Sequence, residues 1–181
     1  MKKHQLYQAL LLLLASLFTL NAFAWDQSIE LGYGVSHDPN HDQYNNSGFL
    51  LSGDIYPFRH TPYTYWSLNA ALGQWHSSAP VHRNLNTAAV SLALRYYPFM
   101  SGLQYSPYLL GSIGPALLST RHFGLNTQGA NLAFQVNAGA GMEFFEKVDA
   151  NFRISHYSNA YIFRPDQGFT VLYMFSMGYL F

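Results

Sequence analysis

His156 and Ser158 stand two residues apart in the stretch Phe152–Gly168, FRISHYSNAYIFRPDQG. On a strand, residues two apart point to the same face. A neutral imidazole beside a hydroxyl pairs a general base with a potential nucleophile, the arrangement that acyl transfer uses. Val148, Ala150, Phe152 and Ile154 share that face, while Asp149, Asn151, Arg153, Ser155 and Tyr157 occupy the other. A soluble β-protein would turn the apolar face to a core. In a membrane barrel the apolar face meets lipid and the polar face meets the lumen. His156 and Ser158 would then stand on the lipid side of the wall, within reach of a substrate that is itself a lipid. The same two residues also suit a polar rim without chemistry, so the surrounding elements decide.

The chain opens with an export signal. Lys2 and Lys3 precede LLLLASLFTL and then Ala22-Phe23-Ala24, a basic start, an apolar run and a small-residue cleavage site. The expected division is a signal peptide over 1–24 and one domain over 25–181. Without Lys2 and Lys3, seven basic residues face nine acidic ones, and Lys147 is the sole remaining lysine. That balance offers no basic patch for nucleic acid. The absence of cysteine excludes a disulfide framework and a thiolate zinc site.

Aromatic residues make up 17 % of the chain and charged residues only 10 %. After the signal no segment is apolar for long enough to span a bilayer as a helix. Many aromatics, few charges and no long apolar run point to a transmembrane β-barrel.

Alternation predicts eight strands. They lie near Ser28–Ser36, Gly48–Tyr56, Tyr65–Trp75, Thr87–Tyr97, Pro107–Leu117, Asn131–Phe145, Val148–Ser158 and Phe169–Phe181. The predicted fold is all-β, an eight-stranded antiparallel up-and-down barrel. Small residues on the polar faces suit its narrow, side-chain-filled lumen. Glu30, Asp54, Arg95, Glu143 and Arg153 are placed to pair inside it. In the last strand Phe169, Val171, Tyr173, Phe175, Met177, Tyr179 and Phe181 alternate up to a terminal aromatic. This resembles the terminal strand read by the outer-membrane assembly machinery. It also turns Thr170 toward the lumen unless a bulge intervenes.

Connections alternate between long and short. HDPNHDQYNN, HSSAPVHRN and STRHFGLNTQG are long, and the turn at Glu146-Lys147 is the shortest. Bacterial barrels have long outer loops and short periplasmic turns, which puts both termini on the periplasmic side. Tyr56-Pro57-Phe58, Tyr96-Tyr97-Pro98-Phe99 and Phe144-Phe145 then fall at the periplasmic rim, where an aromatic girdle belongs. The seventh strand rises from its short turn and carries His156 and Ser158 to the outer leaflet, where lipopolysaccharide is the dominant lipid.

Other candidate sites are weaker. His37-Asp38-Pro39-Asn40-His41-Asp42 has metal-ligating residue types, but turn chemistry explains the same residues. No metal or cofactor is expected. Ala138-Gly139-Ala140-Gly141 lies within a strand and opens no helix, so it is not a phosphate loop.

His156-Tyr157-Ser158-Asn159-Ala160 followed by Gly168 resembles the H-x-S-N-A…G signature of the PagL-type lipid A 3-O-deacylases. These are small outer-membrane barrels that hydrolyse an acyl ester of lipid A. The resemblance in residues covers mainly the seventh strand, its loop and the eighth strand. It implies His156 as general base and Ser158 as nucleophile. It further implies that Asn159, Ala160 and Gly168 help to orient the site or hold the oxyanion. The family usually has a glutamate two residues after the glycine, where this chain has Thr170, and often an asparagine two residues before it, where this chain has Asp166. Thr170 and Asp166 are thus the candidates for third member. The partner implied is lipid A of lipopolysaccharide in the outer membrane, with a second copy in a homodimer as a further candidate. The function implied is a serine ester hydrolase with weakened charge support. The alternative is a degenerate structural or lipopolysaccharide-binding barrel.

Overall fold

The computed structural model describes residues 26–38, 41–101, 103–160, 162–164 and 168–181. The expected signal peptide lies outside them. In chain order the strands are β1 (Asp26–Asp38), β2 (His41–Thr61), β3 (Thr64–Ser77), β4 (Asn84–Tyr96), β5 (Tyr105–Leu118), β6 (His122–Phe123), β7 (Asn126–Thr127), β8 (Leu132–Phe144), β9 (Val148–Ser158) and β10 (Phe169–Leu180). The eight long strands close into one antiparallel barrel, and β6 and β7 form a two-stranded hairpin of their own. Closure comes from β10 returning to β1, with Ser28 through Val35 paired against Leu180 through Tyr173. A closed ladder leaves no sheet edge unpaired, the condition a sheet must meet in lipid.

The predicted faces hold through most of the wall. Leu31, Tyr33, Leu68, Val90, Leu92, Phe152 and Ile154 are exposed on the outside, while Glu30, Ser67, Asn69, Ser91, Arg95, Asn151 and Arg153 are buried within. Three expectations change. First, the polar run after the first strand is mostly ladder rather than loop. Ser36, His37 and Asp38 pair with Asn46, Asn45 and His41. Backbone pairing is indifferent to side-chain polarity, so a hairpin continues past the apolar band. Second, the predicted long loop after the fifth strand contains the β6–β7 hairpin, which buries Phe123. Third, Phe169 and Val171 do not join the outward row of the last strand. They are buried, and the register shifts between Val171 and Met174.

The lumen is filled in two layers. Toward the long loops lies an apolar plug that includes Leu50, Trp75, Leu85, Phe123, Tyr157, Phe169 and Met174. Toward the short turns lies a charged layer centred on Arg95. Its guanidinium reaches Glu30 at 2.7 Å, Glu143 at 3.0 Å, Asp149 at 3.1 Å and Asp54 at 3.8 Å. It also lies 4.7 Å from the Tyr108 ring centroid and 5.5 Å from that of Tyr56. Arg153 binds the second oxygen of Glu30 at 3.0 Å. The pairing expected among Glu30, Asp54, Arg95, Glu143 and Arg153 is present, and Asp149 joins it. Gly141 leaves room for Tyr108, because a Cβ there would sit 2.4 Å from the phenol. The Tyr108 hydroxyl then donates to Asp149 at 2.5 Å. At the rim, burial pushes the Tyr97 phenol well above its ordinary range, and its hydroxyl donates to Glu143.

Arg95 therefore ties together carboxylates from β1, β2, β8 and β9. Arg95→Met should strand them in the lumen and destabilise the barrel by roughly 3–5 kcal/mol, the cost of removing one partner from a buried ion pair. The urea midpoint of unfolding in detergent would fall accordingly. An unchanged midpoint would show that the network adds no net stability.

Candidate active site

β9 and β10 are hydrogen-bonded neighbours, and their register sets the site. Thr170 pairs with His156, Phe169 with Tyr157, and Val171 with Ser155. Directly paired residues share a face, so Thr170 lies on the outer face with His156. The shift in register makes this so. Val171 and Met174 are both buried and pair with Ser155 and Arg153, three steps on β10 against two on β9. One extra residue in a two-residue period reverses every side chain beyond it. Without the bulge, the outward Tyr173, Phe175 and Met177 would force Thr170 inward.

His156 Nδ1 and Thr170 Oγ1 are 2.8 Å apart, a hydrogen bond whose donor depends on the tautomer. His156, Ser158, Gly168 and Thr170 are all partly exposed. Gly168 sits close against the other strand. A Cβ built on it would lie 2.4 Å from the Tyr157 carbonyl oxygen, 3.0 Å from Ser158 Cβ and 3.2 Å from His156 Cε1. His156 and Ser158 thus border one small space that any side chain at 168 would fill.

The inner side of the same wall is braced by aromatic rings. Tyr157 lies between the two candidate residues in sequence and faces inward. Its ring stacks on that of Phe169 at 4.6 Å and 8°. Trp75 meets both rings edge-on at 6.3 and 6.2 Å, and Phe123 packs on Phe169 at 5.1 Å. Gln135 Nε2 donates to the Tyr157 hydroxyl at 2.7 Å. The strand segments that carry the site are held from behind by the plug. Sequence reasoning missed Tyr157, Phe169, Trp75 and Phe123 as supports. The inward parity of Trp75 and Tyr157 was a usable signal, but the bulge concealed that of Phe169.

The loop after β9 is shaped locally. Asn159 is buried and its Nδ2 donates to the Phe163 carbonyl at 2.6 Å, while Ile162 N donates to Asn159 O at 3.1 Å. Ala160, exposed at the head of this turn, has a φ of 53°. The Asn159 side chain therefore fastens the loop. Asp166 lies outside the described residues, as do Pro39 and Asn40 of the candidate metal loop. Among the described residues no group of three or more metal-ligating side chains is assembled. Gly139 and Gly141 lie within β8, as the sequence implied.

The chain resembles known proteins along nearly its whole described length. The pattern of the family described as Lipid A 3-O-deacylase (PagL) matches residues 27–179. A protein named Lipid A deacylase PagL from Pseudomonas aeruginosa is 28 % identical over 170 residues, which cover 88 % of this chain and 89 % of that one. The crystal structure of the outer membrane enzyme PagL superposes with a TM-score of 0.59 at 21 % identity, covering 86 % of this chain and 97 % of that chain. The last comparison establishes a shared fold. With a family pattern spanning the barrel from β1 to β10, this chain belongs to the lipid A 3-O-deacylase (PagL) family.

Proposed function

We propose that this barrel is an outer-membrane ester hydrolase that removes the 3-O-linked 3-hydroxy fatty acid from lipid A, using Ser158 as nucleophile and His156 as general base. The observation that carries the reading is the outward placement of Thr170 beside His156, on the face that also holds Ser158. In the working tautomer His156 Nδ1–H donates to Thr170 Oγ1. Nε2 then presents its lone pair to the Ser158 hydroxyl. Ser158 Oγ attacks the ester carbonyl as Nε2 takes its proton. The tetrahedral intermediate collapses, the lipid A alkoxide leaves with that proton, and the acyl group stays on Ser158. Water, activated by the same nitrogen, attacks the acyl-serine and releases the fatty acid. Backbone amides of the turn at Ala160 are the assigned oxyanion donors, with Asn159 fastening that turn.

Thr170 does part of what a carboxylate would do. It accepts a hydrogen bond from Nδ1–H in that tautomer and so holds the ring orientation, but it supplies no negative charge to the imidazolium. Loss of the acid in a serine triad slows turnover by roughly 10⁴-fold without abolishing it. The assigned activity is accordingly slow. The missing carboxylate also favours a second reading, a barrel that binds lipopolysaccharide without cleaving it. In either case the proposed setting is the outer membrane. Residues 1–24 are removed as a signal peptide, both termini lie in the periplasm, and Phe181 closes the assembly signal.

Mass spectrometry of lipid A incubated with the purified barrel separates the two readings. The hydrolase reading predicts release of a 3-hydroxy fatty acid by the unaltered protein and none by Ser158→Ala. Lipid A left intact by a folded barrel would support the binding reading. Equal release by both proteins would reject Ser158 as nucleophile. A second expectation comes from Gly168. Gly168→Ala forces a methyl against the Tyr157 carbonyl and between His156 and Ser158, so turnover should fall about 100-fold, as for a displacement of about 1 Å in a reacting group. Full turnover in that variant would contradict the assigned geometry.

A further inference from the structure

The loop between β3 and β4 (78–83) and the connection between β5 and β8 (119–131) contain His82, Arg83, Arg121 and His122 and no acidic residue. The fold brings these two segments together at the long-loop rim. The rings of His82 and His122 stack at 4.9 Å and 28°. Gly124 N donates to His82 O at 2.9 Å, and Gln128 N donates to Arg121 O at 2.8 Å. Arg83 Nε donates to Ser77 O at 3.4 Å, while the residue itself stays exposed. Arg121 is exposed as well, beside the β6–β7 hairpin. His122 Nδ1 is fixed by Thr127 Oγ1 at 3.1 Å. Two stacked imidazoles, each followed or preceded by an arginine on a hydrogen-bonded backbone, concentrate N–H donors and positive charge with no carboxylate of their own segments to balance them.

The same connection reaches the candidate active site. A Cβ on Gly129 would lie 2.7 Å from Phe163 C and 2.8 Å from Arg164 O, so the connection packs directly on the turn that follows Ser158. Phe123, in the hairpin itself, packs on Phe169 behind Thr170. The connection that carries Arg121 and His122 therefore packs on the loop that follows Ser158 and on the ring behind Thr170. An ester-bearing glycolipid seated at Ser158 with its acyl chains in the membrane would raise its headgroup to this rim.

We propose that His82, Arg83, Arg121 and His122 form a binding surface for the phosphate groups of a phosphorylated glycolipid headgroup. This rests on the lipid A reading of the site and adds the part of the substrate that the rim recognises. Guanidinium groups pair with phosphate oxygens through two parallel N–H donors, and imidazole N–H groups add to the set. The contribution is to substrate binding, not to bond cleavage.

The test is binding to the full barrel in detergent micelles, in a Ser158→Ala background so that no hydrolysis intervenes. The probes are bisphosphorylated lipid A, the same lipid A with its phosphates removed, and inorganic phosphate as competitor. The parent should bind the bisphosphorylated form about 100-fold more tightly, roughly tenfold for each arginine–phosphate pair. Arg83→Gln combined with Arg121→Gln should abolish that preference and leave affinity for the dephosphorylated lipid unchanged. A preference retained in the double variant, or absent from the parent, overturns the proposal. Displacement of the lipid by millimolar inorganic phosphate would also overturn it, because the surface would then be a simple anion site. Phosphate-dependent binding by a protein whose unaltered form releases no fatty acid would uphold this surface and sink the hydrolase reading, so the two fail separately.

Discussion

A closed β-wall allows each residue only two directions, and neighbours along a strand must take opposite ones. The facing of most side chains in this barrel wall follows from that two-residue period. It puts Arg95 and the carboxylates it binds in the lumen and keeps Leu31, Leu68 and Phe152 outside. It also splits β9 into an inner row that ends in the Tyr157 ring and an outer row that ends in His156 and Ser158. The register shift between Val171 and Met174 is what lets Phe169 face the plug while Thr170 meets His156.

The division of labour across the wall has an energetic logic. Outside, the proposed reaction requires His156 and Ser158 to stay open to a lipid, and both are partly exposed. Inside, Tyr157, Phe169, Trp75 and Phe123 pack in tilted, edge-on and stacked contacts, each aromatic pair worth about 0.5–1.5 kcal/mol beyond area burial. Rigidity is supplied from the lumen to a site that needs its own face free. The charged layer plays the same part nearer the short turns, where Arg95 draws four strands together. Its carboxylates are each bound by an arginine, which meets the main requirement for burying charge.

Strand number, facing and the lumenal charges were legible in the sequence, because each barrel strand shows the alternation that a two-sided wall imposes. The pair His156 and Ser158 was legible from spacing, and the H-x-S-N-A…G resemblance pointed to the family. What the alternation left open depends on contacts distant in sequence. Thr170 follows an unbroken apolar alternation from Phe169 to Phe181, and nothing local announces the extra residue near Leu172. With the bulge in place the ring of Phe169 stacks on that of Tyr157 inside the wall. The β6–β7 hairpin was hidden for a similar reason. Its strands are two residues each, too short for any periodicity, and the Phe123 ring packs on Phe169 of β10. Asn159 was expected by position to orient the site or hold the oxyanion, and its amide donates to Phe163 O within the loop.

In the proposed mechanism the Thr170 hydroxyl serves as the third member of the site by holding the His156 ring. The most direct measurement is the rate of fatty-acid release by Thr170→Val and Thr170→Glu, with folding checked for each variant. Valine keeps the shape and removes the acceptor. Turnover should then fall about tenfold with little change in KM, as for the loss of one hydrogen bond of roughly 0.5–1.5 kcal/mol felt mainly in the transition state. Glutamate restores a charge beside the imidazolium and should raise turnover above that of the unaltered protein. Thr170→Val releasing fatty acid at the full rate, with Thr170→Glu no faster, would exclude Thr170 as the third member of the site.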